Sequence, residues 1–311
     1  MKNIVKKLPV PITGLMLGLA ALGNLIQSYS NNLRNVFGII SGIILVLVLI
    51  KIIMLPKGVK EALDNPVVAS VFPTLSMTIM LLAGYLKPLN AQFALILYFA
   101  GILLHIILIG WFTKKFVANY NIKKVFPSWY IVYVGIAVAS VVAGAFEMQS
   151  IGKFLFYFAF ISYLVLLPIV LKRVFVVKEI PEPALPTLVI LSAPASLCLA
   201  GYMNSFAEKN MLMVWFLLAI SQVTYLAVLL SLPKLLKLKF YPSYSGFTFP
   251  LVISALSLKL TNGFLTKSGN PIAFLKTLVN AEELIAFVIV IYVLVRYISF
   301  LFAKAASAPK A

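Results

Sequence analysis

Apolar runs of about twenty residues, separated by short polar connections, recur along the whole chain. A helix of that length crosses the roughly 30 Å hydrocarbon layer of a bilayer. Ten such runs lie over 8–28, 35–55, 70–87, 91–113, 128–147, 152–175, 185–205, 210–232, 242–264 and 277–303. The first begins basic and then turns apolar, as a secretory leader does. It continues into Gly23-Asn24 without a small-residue cleavage site, however, and reads as a retained first span.

The runs alternate in character. Even-numbered ones carry large apolar side chains, as in GIILVLVLIKIIM (42–54), FLFYFAFISYLVLL (154–167) and LIAFVIVIYVLV (284–295). Odd-numbered ones mix small residues, hydroxyls and prolines: PITGLMLGLAALGN (11–24), PTLSMTIMLLAG (73–84), VGIAVASVVAGA (134–145), LSAPASLCLAG (191–201) and SGFTFPLVISALS (245–257). Small residues let helix backbones approach closely, so the odd spans suit contact with protein or a cavity and the even ones suit lipid. The expected fold is an all-α polytopic membrane protein, one transmembrane domain over residues 1–311, with odd helices forming an inner pore ring and even helices an outer ring.

Prolines mark the odd runs. Pro11, Pro73, Pro127, Pro194 and Pro250 are spaced by 62, 54, 67 and 56 residues, with an aromatic residue just before three of them in Phe72-Pro73, Phe126-Pro127 and Phe249-Pro250. A repeat of two spans enters the membrane from the same side each time, so the pattern predicts five parallel hairpins about the membrane normal. All five prolines are candidate helix kinks. Pro73 and Pro127 fit equally well as helix starts, where the missing N–H costs nothing. Pro194 and Pro250 lie too deep in their runs for that, and an interior proline costs about 3 kcal/mol unless neighbours satisfy the freed carbonyl.

Composition agrees with the pattern. Of 311 residues 62% are hydrophobic and 11% charged, and a mean hydropathy of +1.06 excludes a soluble domain. A net charge of +18 would suggest nucleic acid in a soluble protein, but here the basic residues sit in the connections. Arg34, Lys87, Lys153, Lys209, Lys259, Lys267 and Lys276 fall on one side and the other nineteen of the 26 on the side of the N-terminus, Lys304 and Lys310 included. By the positive-inside rule this puts both termini in the cytoplasm, with the protein in the plasma (inner) membrane and no nucleic-acid partner.

Much chemistry is missing. Asp64 is the only aspartate and lies in a connection, so paired-aspartate enzymes are excluded. One histidine and one cysteine make no metal site, and neither a metal nor a cofactor is expected. Cys198 reads as a buried, inert thiol and His105 as a hydrogen-bonded structural histidine. Glu282-Glu283 are expected to open the tenth span, where carboxylates complement a helix N-terminus. Glu147, near an outer helix end, is the one carboxylate whose facing toward the path the sequence leaves open. Without an acidic residue in mid-span the chain favours passive flow of a small anion over ion-coupled transport. The candidate pore-lining residues are Gly14, Gly18, Ser76, Ser140, Ser196 and Ser254. Each serine could instead bond its own helix, and the two glycines could be a helix-packing face.

Two of these stretches together resemble a known family. Thr13-Gly14 with Gly14-x-x-x-Gly18 and LAAL (19–22) in the first span, and Thr248-Phe249-Pro250 in the ninth, resemble the TehA-like tellurite-resistance and dicarboxylate transporter family, which includes the slow anion channels of plant guard cells. The resemblance covers all ten spans in order. It implies a homotrimer with a pore in each protomer, occluded by a phenylalanine that matches Phe249, beside a glycine that matches Gly14. From the residues alone Phe249 could equally be a packed core aromatic. Members often carry a proline between the two first-span glycines; this chain has Leu15-Met16-Leu17, so a local difference in pore shape is expected. The function implied is a passive channel for small anions. The alternative is a carrier exporting C4-dicarboxylates or oxyanions such as tellurite, with or without proton coupling.

Overall fold

The computed structural model describes residues 2–303; Lys304 and Lys310 lie outside the described residues. Beside short helices at Lys2–Lys7, Pro56–Ala62 and Ile122–Lys124, the described residues form ten longer helical segments: α1 (Ile12–Ile26), α2 (Asn31–Met54), α3 (Pro66–Leu86), α4 (Ala91–Val117), α5 (129–146), α6 (Gln149–Val177), α7 (Glu182–Ser205), α8 (Met211–Leu235), α9 (Pro242–Lys267) and α10 (Ala273–Phe302). No strand occurs among the described residues. Eight of the ten are long and apolar enough to cross a membrane; α1 and the Gly135–Phe146 part of α5 are shorter apolar helices.

Burial follows the alternation in sequence. In α3, α7 and α9 between 67 and 83% of the most apolar stretch is buried, against 28 to 33% in the long even helices. Every residue of α1 except Asn24 is buried. Large apolar side chains such as Ile39, Leu103, Phe154, Leu226 and Leu284 instead point outward from the even helices, where only lipid gives them a favourable solvent. The buried segments pack in a circuit: α1 on α3, α3 on α5, α5 on α7, α7 on α9, and α9 back on α1. Each even helix lies against the odd one before it.

Local sequence explains where the segments begin and change. Ser30, Asn90 and Asn210 cap α2, α4 and α8, each accepting a backbone N–H from the first turn. The odd segments are not uniform α-helices. α7 starts with an 11-residue 3₁₀ stretch, Glu182–Ser192, and α9 with Pro242–Phe247. Pro194 and Pro250 then sit in the first turn of the α-helical parts Ala193–Ser205 and Thr248–Lys267. The depth of these prolines in their runs therefore does not make them kinks inside an α-helix: each stands where 3₁₀ gives way to α, in a turn that needs few backbone donors. Pro11 occupies the N-cap position of α1. Pro73 divides α3 into Pro66–Val71 and Thr74–Leu86. Pro127 lies in the turn leading into α5, where its carbonyl accepts the Tyr130 amide at 3.2 Å. Since 3₁₀ rises about 2.0 Å per residue against 1.5 Å in α, these stretches lengthen the buried segments and rotate their side chains relative to a continuous helix.

Candidate functional site

At the centre of the circuit all five buried segments contribute to one small cavity of about 30 Å³, room for one or two water molecules. Each supplies a stripe at helical spacing: Gly14 and Leu17 from α1; Val71, Thr74 and Met77 from α3; Tyr130, Ile131, Val134 and Gly135 from α5; Ile190, Ala193, Pro194 and Leu197 from α7; Ser245, Gly246, Phe249 and Pro250 from α9. No charged side chain belongs to this wall. Its polar side chains are Thr74, Tyr130 and Ser245, and Thr74 donates its hydroxyl to Val71 O at 2.8 Å.

Phe249 stands in the wall, 7% exposed. Small residues surround it: Gly14, Gly246 and Ala193 share the cavity. The room at Gly14 is used by Ser245, because a Cβ built there would lie 2.9 Å from Ser245 Oγ. Gly18 is absent from the wall and serves close packing of α1 on α9; a Cβ there would fall 2.4 Å from Thr248 Oγ1 and 3.2 Å from the Phe249 amide nitrogen. Thr248 Oγ1 ties the two helices by donating to Gly14 O at 3.1 Å, a bond it shares with Ser245 O at 2.7 Å. Met16 is buried away from the cavity, and Leu17 takes the wall position.

The four serines are all fully buried, and none lines the cavity. Ser76 bonds Pro73 O and His105 Nδ1, Ser140 donates to Gly152 O, and Ser196 and Ser254 meet each other at 3.0 Å between α7 and α9. These are bonds within and between helices. His105 uses both ring nitrogens, Nδ1 toward Ser76 at 2.8 Å and Nε2 toward Val132 O at 3.1 Å. A carbonyl only accepts, so Nε2 carries the proton. Cys198 is buried and unbridged.

Carboxylates occupy unexpected places. α10 begins at Ala273, so Glu282 and Glu283 lie well inside it, buried to 3 and 5% exposure, rather than opening it. The apolar pattern conceals this because the first turns of α10 are themselves mixed in polarity. Glu283 binds Lys259 at 2.6 Å and accepts the Tyr29 hydroxyl at 2.6 Å. Glu282 neighbours Gln222 and Tyr225 of α8, and Glu282 Oε2, Gln222 Nε2 and Tyr225 Oη are buried together without a hydrogen bond of ordinary geometry. These residues are not in the cavity wall. Glu147 is exposed at the end of α5 with a left-handed backbone, φ 60°, also outside the wall.

Of the wall residues, sequence reasoning had singled out only Gly14, Pro194, Phe249 and Pro250, and it missed all three polar ones, Thr74, Tyr130 and Ser245. The signal available for Ser245 was its position four residues before Phe249, one helical turn away.

The chain matches the SLAC1 family, described as voltage-dependent anion channel, over residues 7–298. It belongs to the SLAC1 family. The match agrees with the resemblance carried by the first and ninth spans, and makes the chain an integral membrane protein of a channel and transporter family rather than an enzyme family. Anions and membrane lipid are the partners that SLAC1 membership implies. No curated protein matches the chain.

Proposed function

We propose that this SLAC1-family protein is a passive channel for small anions, with a path through the centre of the odd-helix circuit and Phe249 as its gate. The observation that carries this reading is the central cavity, walled by one stripe from each of five buried segments, free of charged side chains, with Phe249 in its wall. A wall without acidic groups does not attract cations. A wall without basic groups binds no anion tightly enough to trap it. Gly14 and Phe249 are the site residues retained. The four serines act as helix-to-helix bonds in this reading, and Gly18 as a packing contact.

In the same proposal all ten segments cross the bilayer as five parallel hairpins of one domain. Both termini are cytoplasmic in the plasma membrane, and three protomers assemble with a path in each. The alternation of buried and outward-facing segments supports the hairpins, and the excess of basic residues at one end supports the orientation. Phe249→Ala is expected to raise chloride and nitrate conductance in planar bilayers. Unchanged current from well-incorporated protein sinks the gate.

A carrier for C4-dicarboxylates or tellurite is the second reading, and the carboxylate of Glu282, buried inside α10, is the observation that favours it. Its place outside the wall weighs against coupling, as does the steep dehydration cost of a doubly charged ion in an uncharged cavity. Uptake driven by a pH gradient and abolished by Glu282→Gln would establish the carrier.

A further inference from the structure

Buried hydroxyls of the odd segments follow a common pattern. Thr13, Thr74, Ser76, Ser192, Thr248 and Ser257 each donate to the carbonyl three residues earlier on their own helix. This is the usual way for a hydroxyl to be satisfied inside a membrane helix.

Ser245 departs from it. Its corresponding acceptor is Pro242 O, and that carbonyl already takes the hydroxyl of Tyr297, reaching in from α10. The proton of Tyr297 goes to Pro242 O, but its phenolic oxygen, which neighbours Ser245, is an alternative acceptor for the Ser245 hydroxyl. Ser245 Oγ is buried, 1% exposed, yet makes no hydrogen bond of ordinary geometry to Tyr297 or to any other group; among the described residues it is the one buried Ser or Thr hydroxyl left so. It lies at the cavity beside Gly14, whose missing Cβ would have stood 2.9 Å away. An unpaired buried hydroxyl is costly and persists where something else uses it. A second orphan hydroxyl, Tyr130 Oη, belongs to a wall residue of α5.

We propose that the Ser245 hydroxyl, held without a well-formed bond beside Gly14 and Tyr297, hydrogen-bonds the anion as it passes Phe249, with Tyr130 supplying a second donor. Ser245 is a binding residue in this scheme. A neutral hydroxyl suits this task. It replaces part of the ion's hydration without the full charge that would hold the ion in place. The proposal rests on the central path described under Proposed function and names the groups that touch the ion there.

Two measurements on the full-length protein test it separately from the gate. In the Phe249→Ala background, the chloride concentration that half-saturates conductance is compared with and without Ser245→Ala. A lost hydrogen bond to a charged partner raises it about tenfold. Half-saturation unchanged in Ser245→Ala, whatever the current amplitude, overturns the proposal and leaves the hydroxyl to a cavity water. The second measurement is thermal stabilisation of purified protein with an intact Phe249, in nitrate against gluconate at equal ionic strength. The expected result is stabilisation whose midpoint concentration rises about tenfold in Ser245→Ala. Equal midpoints overturn the proposal. If Phe249→Ala is silent, the gate reading fails and this second measurement alone decides the role of the hydroxyl.

Discussion

Replacing Phe249 by alanine removes a nearly buried ring from the wall of the central cavity. A phenylalanine side chain buries about 150–250 Å². At about 25 cal/mol per Å², its seat is held by at most about 4–6 kcal/mol. If opening takes the ring wholly out of that seat, a resting protomer is open about one part in 10³ to 10⁴, since each 1.4 kcal/mol is tenfold. Alanine cannot span the gap, so macroscopic conductance should rise by up to about three to four orders of magnitude, and Phe249→Leu should fall between the two. The substitution costs about 3–5 kcal/mol of stability if the enlarged cavity stays dry, and less if water enters from the path. The assay is current through purified protein in planar bilayers under a chloride-to-nitrate gradient, with the thermal midpoint in detergent recorded alongside. A folded Phe249→Ala protein whose current lies within twofold of the parent refutes the assignment, and Phe249 is then a packed core aromatic.

Gly18→Ala should lower stability by about 1–3 kcal/mol, because its Cβ meets Thr248 at 2.4 Å and forces α1 from α9. Gly42→Ala, on outward-facing α2 with nothing within 4 Å, should be neutral or stabilise by about 0.5–1 kcal/mol. Thermal unfolding of the pair separates packing from helix propensity. His105→Phe leaves Val132 O unpaired and should cost about 1–3 kcal/mol while reversal potentials stay unchanged, since the histidine lies outside the wall. In the connection between α6 and α7, the hydrogen bond and charge of Lys123 hold the Glu179 carboxyl below the ordinary carboxylate range. The folded value lies below the unfolded one, so the pair's contribution is present above the unfolded carboxyl pKa and is lost as pH falls through the folded value. An NMR titration of Glu179 should move upward in Lys123→Ala.

The alternation of small-residue and large-residue spans could be read from the chain because lipid and protein contacts demand different side chains at every turn. α1 and α7, rich in Gly, Ala and Ser, are enclosed; α2 and α10, rich in Ile, Val and Leu, face outward. Family membership was legible for a related reason: the Gly14 to Gly18 spacing and Thr248-Phe249-Pro250 meet where α1 packs on α9. Which side chains wall the cavity was decided by tertiary structure. That depends on the rotation of each helix about its axis, and the 3₁₀ stretches of α5, α7 and α9 reset it. Prolines consequently stand at different phases: the wall begins three residues after Pro11 and Pro127 but reaches Pro194 and Pro250 themselves. Ser76, Ser140, Ser196 and Ser254 have the hydroxyls expected of a pore and spend them on helix contacts. Ser245 has the same hydroxyl and makes no well-formed bond with it, beside a tyrosine oxygen that α10 brings in from another part of the chain. Composition sorts helices into layers through their solvent; the commitments of single polar atoms are set by neighbours that only the fold brings together.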